Sequence, residues 1–188
     1  MTYYGGKGLA GAFRTVRNNT VQIAEEIPEN KYDFRAAPDV RSVGQMLTHI
    51  ALGPGFQSYV HVNQVTDLKT VNFQELVQKF QAEEAKPRNK AEIVKFLKSE
   101  GEKFASYLEG LSDAFLAEQV TMPPGATPAT KTRFEMLLSV KEHEMHHRAQ
   151  LMLIERMIGQ VPHLTRQMQE RMARQMAAGA PAGAQAQR

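Results

Sequence analysis

The segment Lys141-Glu142-His143-Glu144-Met145-His146-His147-Arg148-Ala149-Gln150 holds three of the chain's six histidines. His143 and His147 stand four apart, which on an α-helix puts both imidazoles on one face, where they can converge on one metal ion. At about 100° per residue, Met136, Val140, His143, His147, Leu151, Ile154 and Ile158 fall in one sector roughly 80° wide. The two rings therefore share the stripe that faces a core, with His146 at its edge and Met145 opposite. An unsatisfied buried polar group costs about 1–3 kcal/mol, and a metal ion shared by both rings removes that cost. His49 borders the apolar stripe of another helix, beside Met46, Leu52 and Phe56, and is the candidate third ligand. Taken alone, a histidine such as His49 is more often a hydrogen-bonded core or surface residue than a ligand. The i, i+4 pair carries more weight, and a third inward ring adds to it. His61 and His163 fall near element ends and are expected to face solvent.

The same letters fit a second scheme. His143-Glu144-Met145-His146-His147 matches H-E-x-x-H, in which Glu144 is the general base of a metallohydrolase. The longer form fails, because Gln150 and Leu153 occupy its glycine and third-histidine positions. Glu155 or Glu170 would have to be the downstream ligand, and the sequence shows no strand to hold a peptide substrate.

Three neutral imidazoles leave metal positions open. Water bound there approaches a pKa of about 7, and a coordinated thiol is deprotonated outright. The chain has no cysteine, so any thiol nucleophile is a guest. Gln150, one turn from His147, is placed to orient a ligand or substrate. Glu142 or Glu144 is a candidate to hold an imidazole N–H, a solvated helix face being the plainer reading of both. Histidine-only sites suit zinc, nickel, copper and iron alike.

The elements that must position these residues are helices. Phe13, Val16, Thr20, Ile23 and Ile27 recur at steps of three and four, predicting a helix over 10–27 that Pro28 stops. Glu29–Asp39 reads as a loop. A second helix begins near Arg41, with Asp39 or Ser42 as N-cap and Val43, Met46, Leu47 and Ile50 inward. Gly53-Pro54-Gly55 breaks or kinks it, and Phe56, Tyr59 and Val60 continue in a new direction. After a connection at 65–71, Phe73–Ala85 is a short helix. A third long helix spans 90–111, Met122–Pro128 is a loop, and the last long helix runs from Thr132 to Ile158, ended by Gly159. Leu164, Met168, Met172 and Met176 mark a fifth amphipathic helix, whose stripe either packs on the bundle or forms a dimer contact. Residues 178–188, rich in Ala, Gly and Gln, are expected to be mobile. No alternating strand pattern stands out, so the fold class is all-α, a four-helix bundle with a short extra helix and a C-terminal helical extension. The division is 1–162 for the bundle and 163–188 for the extension.

Composition narrows the function. The 188 residues are 42% hydrophobic and 23% charged, as in a globular chain. The net charge of +3 comes from the segment after Pro162, whereas the body is balanced and lacks the electrostatic footprint of a nucleic-acid binder. No run of eighteen apolar residues would cross a membrane. The start, MTYYGGKGLAGAFRTV, lacks a signal-peptide pattern. A cytoplasmic protein acting on a small-molecule substrate, without nucleic acid or membrane as partner, is expected.

Two motifs and the layout resemble the DinB/YfiT-like superfamily of metalloenzymes. Pro38-Asp39-Val40-Arg41-Ser42-Val43-Gly44-Gln45-Met46-Leu47-Thr48-His49-Ile50 is similar to that family's S-V-G-[ED]-L-L-x-H-[IL] helix. Glu142–Gln150 is similar to its H-x-x-x-H segment, commonly followed by Arg-Gly-Gln. Phe13-Arg14 on the first helix, and about ninety residues between the histidine motifs, complete the likeness, which spans Leu9 to Ile158. The resemblance implies a bundle in up-down-down-up order and His49, His143 and His147 as ligands of a divalent metal, nickel or zinc. It further implies a homodimer and, in some branches, transfer of a low-molecular-weight thiol to an electrophile through a metal-bound thiolate. The alternative is a non-catalytic helical protein that is stabilised by metal or senses it. Ala149 departs from the common glycine, Gly53-Pro54-Gly55 is unusual, and the tail after Val161 lies outside the likeness.

Overall fold

The structure, a computed structural model, describes residues 4–179. Eight α-helices occur among them: α1 (Gly6–Glu26), α2 (Val43–Leu52), α3 (Pro54–Val62), α4 (Phe73–Glu84), α5 (Lys90–Glu109), α6 (Asp113–Ala117), α7 (Arg133–Met157) and α8 (His163–Gly179). The bundle is built from α1, α2, α5 and α7, with α1 laid along α5. Ser42, Asn89 and Thr132 start α2, α5 and α7 with reciprocal capping boxes to Gln45, Glu92 and Glu135. Each satisfies two otherwise orphaned amides and sets the helical register. That register decides which side chains of α2 and α7 face inward.

The core falls into layers. At one end Ile23 of α1 and Ile27 just after it meet Leu47 and Ile50 of α2, Ile93 and Leu97 of α5, and Leu151 and Ile154 of α7. At the other, Phe13, Phe104, Leu108, Leu137 and Val140 pack together, the two phenyl rings edge-on at 5.0 Å. Between these layers sits a charge. Arg17 is 3% exposed. Its Nε and Nη2 donate to the Glu144 carboxylate at 2.9–3.0 Å, Nη1 to the Leu97 carbonyl at 2.8 Å and Nη2 to the Ile50 carbonyl at 3.1 Å. One guanidinium thus joins all four bundle helices. It needs room: a Cβ at Gly101 would stand 2.6 Å from Arg17 Cγ.

Three expectations need correcting. A two-stranded antiparallel hairpin, β1 (Gln119–Thr121) and β2 (Thr130–Thr132), interrupts the helices. Three residues per strand are too few to register as alternation; partners elsewhere hold them, as where the Thr121 amide donates to the Thr66 carbonyl. His61 and His163 are both 1% exposed, not solvent-facing. Tertiary partners bury them: Arg133 against His61 at 3.1 Å and Asn19 against His163 at 3.4 Å. The methionines of α8 do not pack on the bundle either, since Met168, Met172 and Met176 are exposed. The start of α8 is tied down by Arg166 to Glu26 at 2.8 Å. Of the tail expected to be mobile, Ala178 and Gly179 close α8, and 180–188 lie outside the described residues. No helix among the described residues is long and apolar enough to cross a membrane.

Near the end of α7, Glu155 is wholly buried, and neither carboxylate oxygen has a hydrogen-bond partner among the described residues. Burial pushes its pKa up to about 7 from an ordinary 4.5. The folded state therefore keeps a proton that the unfolded chain has lost, so stability falls as pH rises from about 4.5 to about 7. Glu155→Gln is expected to be more stable than the parent by roughly 2–3 kcal/mol at pH 8. The gain should vanish near pH 4.5 in urea unfolding; an equal gain at both pH values would mean the carboxyl does not titrate with folding.

Candidate metal centre

His49 stands in the last turn of α2, and His143 and His147 stand one turn apart on α7, where the capped registers aim all three at one another. His143 Nε2 lies 3.2 Å from His49 Nε2 and 3.1 Å from His147 Nε2. One nitrogen from each ring can be chosen so that all three lie within 4.8 Å. The outer nitrogens settle two tautomers. His49 Nδ1 donates to Glu84 Oε2 at 3.1 Å, and His147 Nδ1 donates to Gln150 Oε1 at 2.8 Å. Each bond leaves its ring with a lone pair at Nε2, aimed into the cluster. A single N–H on His143 serves one of those lone pairs at a time; a cation serves all three. Nitrogens bound at 2.0–2.1 Å around a tetrahedral ion are separated by about 3.3 Å, close to the spacing here. The donor set fits a divalent metal.

Electrostatics keep the rings neutral, as ligands must be. Burial lowers the pKa of all three, with His147 and His49 adding to the effect on His143, which falls to about 4. Arg41, bound to Glu84 at 2.6 Å, works in the same direction. An arginine and the imidazole of His49 thus share one carboxylate.

The remaining candidates scatter. Gln150 is in the cluster, its amide donating onward to His146 Nε2 at 3.2 Å. Glu144 faces the opposite way, locked to Arg17 inside the bundle, so it is neither a hydrogen-bond partner of an imidazole nor free to act as the base of an H-E-x-x-H hydrolase. Glu142 and His146 are exposed, and no hydrogen bond from Glu142 to the imidazoles occurs. Sequence reasoning missed Glu84 and Arg41. The only trace of Glu84 is a pair of acids in a polar stretch, indistinguishable from a solvated face.

A cavity of about 290 Å³ opens beside the rings, walled by His49, His143, Leu52, Phe56, Phe80 and Val140, with Gln57, Ser139 and Glu84 as its polar points. A wider recess of about 610 Å³ reaches His147 and Gln150 from the other side, past Arg35, Arg41 and Gln45.

The family model of the DinB superfamily matches residues 12–151, both histidine motifs included. This chain belongs to the DinB superfamily. Its fold is shared with solved members. A DinB-like protein of Bacillus subtilis, YjoA, is 21% identical over 81% of this chain and 93% of its own, with a TM-score of 0.60. YfiT of the same organism, described as a probable metal-dependent hydrolase with an unusual four-helix bundle topology, is 14% identical over 85% and 91%, with a TM-score of 0.64. An uncharacterized protein of Clostridium difficile 630 is 12% identical over 83% and 98%, at 0.62. No curated protein matches the chain. The match ends at residue 151, within α7, so α8 lies outside it.

Proposed function

We propose that His49, His143 and His147 hold one nickel or zinc ion, and that this DinB protein uses it to activate a low-molecular-weight thiol for transfer to a small electrophile. The observation that carries the reading is three imidazoles converging beside an apolar cavity. Such a cation supplies Lewis acidity, lowering the pKa of a thiol or water that takes an open position. The chain does the rest. Glu84 and Gln150 hold the rings in the ligand tautomer. Leu52, Phe56, Phe80 and Val140 exclude water and seat an apolar electrophile. No carboxylate free of a cationic or imidazole partner faces the cluster among the described residues, because Glu144 is taken by Arg17 and Glu84 by Arg41 and His49. A thiol suits a site without a base, since coordination alone removes its proton. Likeness to YfiT favours a second reading, hydrolysis with water as the nucleophile.

The test begins with metal titration of purified protein. Glu84→Ala and Gln150→Ala are expected to weaken binding by about 10–100-fold, and His143→Ala by more. The zinc- or nickel-loaded protein is then given 1-chloro-2,4-dinitrobenzene with free cysteine, where the sulfur displaces chloride as the C–S bond forms. Turnover that needs both thiol and metal, and is lost in His143→Ala, supports the transferase reading. Metal-dependent hydrolysis of p-nitrophenyl acetate without thiol supports the hydrolase. Binding without either reaction leaves a structural or sensing metal, and no binding overturns every one of these.

A further inference from the structure

We propose that Gln57 presents a hydrogen-bond donor into the apolar cavity beside His49 and His143, held so by Arg133 acting through His61, and that the cavity thereby selects small apolar molecules bearing a carbonyl or similar oxygen acceptor. The inference rests on reading that cavity as the substrate side of the metal centre.

The argument starts at Arg133, which is wholly buried at the start of α7. Its Nε donates to Glu118 at 2.8 Å, its guanidinium lies over the Phe115 ring, and its Nη1 stands 3.1 Å from His61 Nδ1. A guanidinium only donates, so Nδ1 of His61 must be the acceptor. A neutral ring that accepts at Nδ1 carries its hydrogen on Nε2. Burial and the Arg133 charge keep the ring neutral, holding its pKa down to about 4.

His61 Nε2 lies 3.1 Å from Gln57 Oε1. With the hydrogen on the ring nitrogen, the carboxamide oxygen accepts and the amide cannot turn over: its NH2 would then meet an N–H. Both donors of Gln57 Nε2 are left over, with no partner among the described residues, on a side chain that lines the cavity. Two other polar side chains there are already committed. Ser139 donates its hydroxyl to the Met136 carbonyl at 2.6 Å. The Glu84 carboxylate receives Arg41 and His49. Gln57 therefore adds two unpartnered N–H donors beside the apolar side chains of Leu52, Phe56, Phe80 and Val140, and a donor left unmatched there favours whichever guest brings an acceptor. At about 290 Å³, the space suits a guest of one ring.

The test titrates acetophenone and ethylbenzene, which share a framework but differ in the carbonyl, into the full-length protein with and without added zinc, followed by ligand-observed NMR. Gln57→Leu is expected to shift the ratio of the two dissociation constants about fivefold against acetophenone, the worth of one neutral hydrogen bond. Gln57→Glu keeps the acceptor that His61 needs but offers the cavity no donor, so it should shift the ratio the same way and strengthen binding of benzyl alcohol. His61→Phe frees the amide to rotate and should give part of the shift; a merely structural chain would weaken both probes alike. Should that variant fail to fold, the two Gln57 variants decide. An unchanged ratio in both, or no binding of either probe to the parent, overturns the proposal. The zinc-free arm separates the readings: a ratio shift without zinc binding leaves this one standing alone, and zinc binding without a shift removes it alone.

Discussion

Glu144→Leu and Arg17→Met are each expected to lower stability by about 3–5 kcal/mol, the usual cost of stranding one partner of a buried ion pair. Both side chains are nearly inaccessible, Arg17 at 4% and Glu144 at 2%, so water cannot replace the lost partner. Arg17→Met also leaves the Leu97 and Ile50 carbonyls without their extra donor. The double variant Arg17→Met/Glu144→Leu should recover much of the loss, because no charge is then left unpaired. A guanidinium-chloride double-mutant cycle reads this directly: a coupling near zero would show that the pair does not act as a unit. Gly101→Ala, which presses a methyl group on Arg17, should mimic part of the single-variant loss.

Zinc held at 1,000 times its dissociation constant should stabilise the parent by about 4 kcal/mol, simply because a ligand of the folded state pulls the equilibrium toward it. For a chain of this size that corresponds to a rise in Tm of roughly 8–16 °C. His143→Ala should show almost none of the rise. His143 is the ring common to both short nitrogen–nitrogen approaches, so its removal leaves His49 and His147 with no shared neighbour. Thermal scans across a zinc series measure the effect, and a Tm of the parent that ignores zinc would contradict the assignment of these rings as ligands.

The helical bundle and the three rings were legible because both depend on period. The spacing of His143 and His147 within an apolar stripe is a local property, and so is the Ser42 cap that orients α2. What was not legible depends on partners far along the chain. Glu144 looked like a catalytic or solvated acid until Arg17, 127 residues away, claimed it. The sequence did contain a hint, since Arg17 follows Phe13 by one helical turn and intrudes on the buried stripe of α1. Glu84 offered none: its role comes from α4 folding back onto α2. His61 was misjudged for the same reason. A histidine near the end of a helix is usually wet, and this one is dry because Arg133 from α7 and Phe115 from α6 pack against it.

Gly53 has right-handed backbone angles, φ −48° and ψ −38°, a region that the following Pro54 disfavours for a residue with a Cβ. Space is tight as well: an added Cβ would stand 3.2 Å from both His143 Nδ1 and the Ile50 carbonyl oxygen. The joint between α2 and α3 therefore resists larger residues through Pro54, the Ile50 carbonyl and the His143 imidazole together. Substitution there becomes a dial on ring placement, one that leaves every nitrogen donor chemically intact.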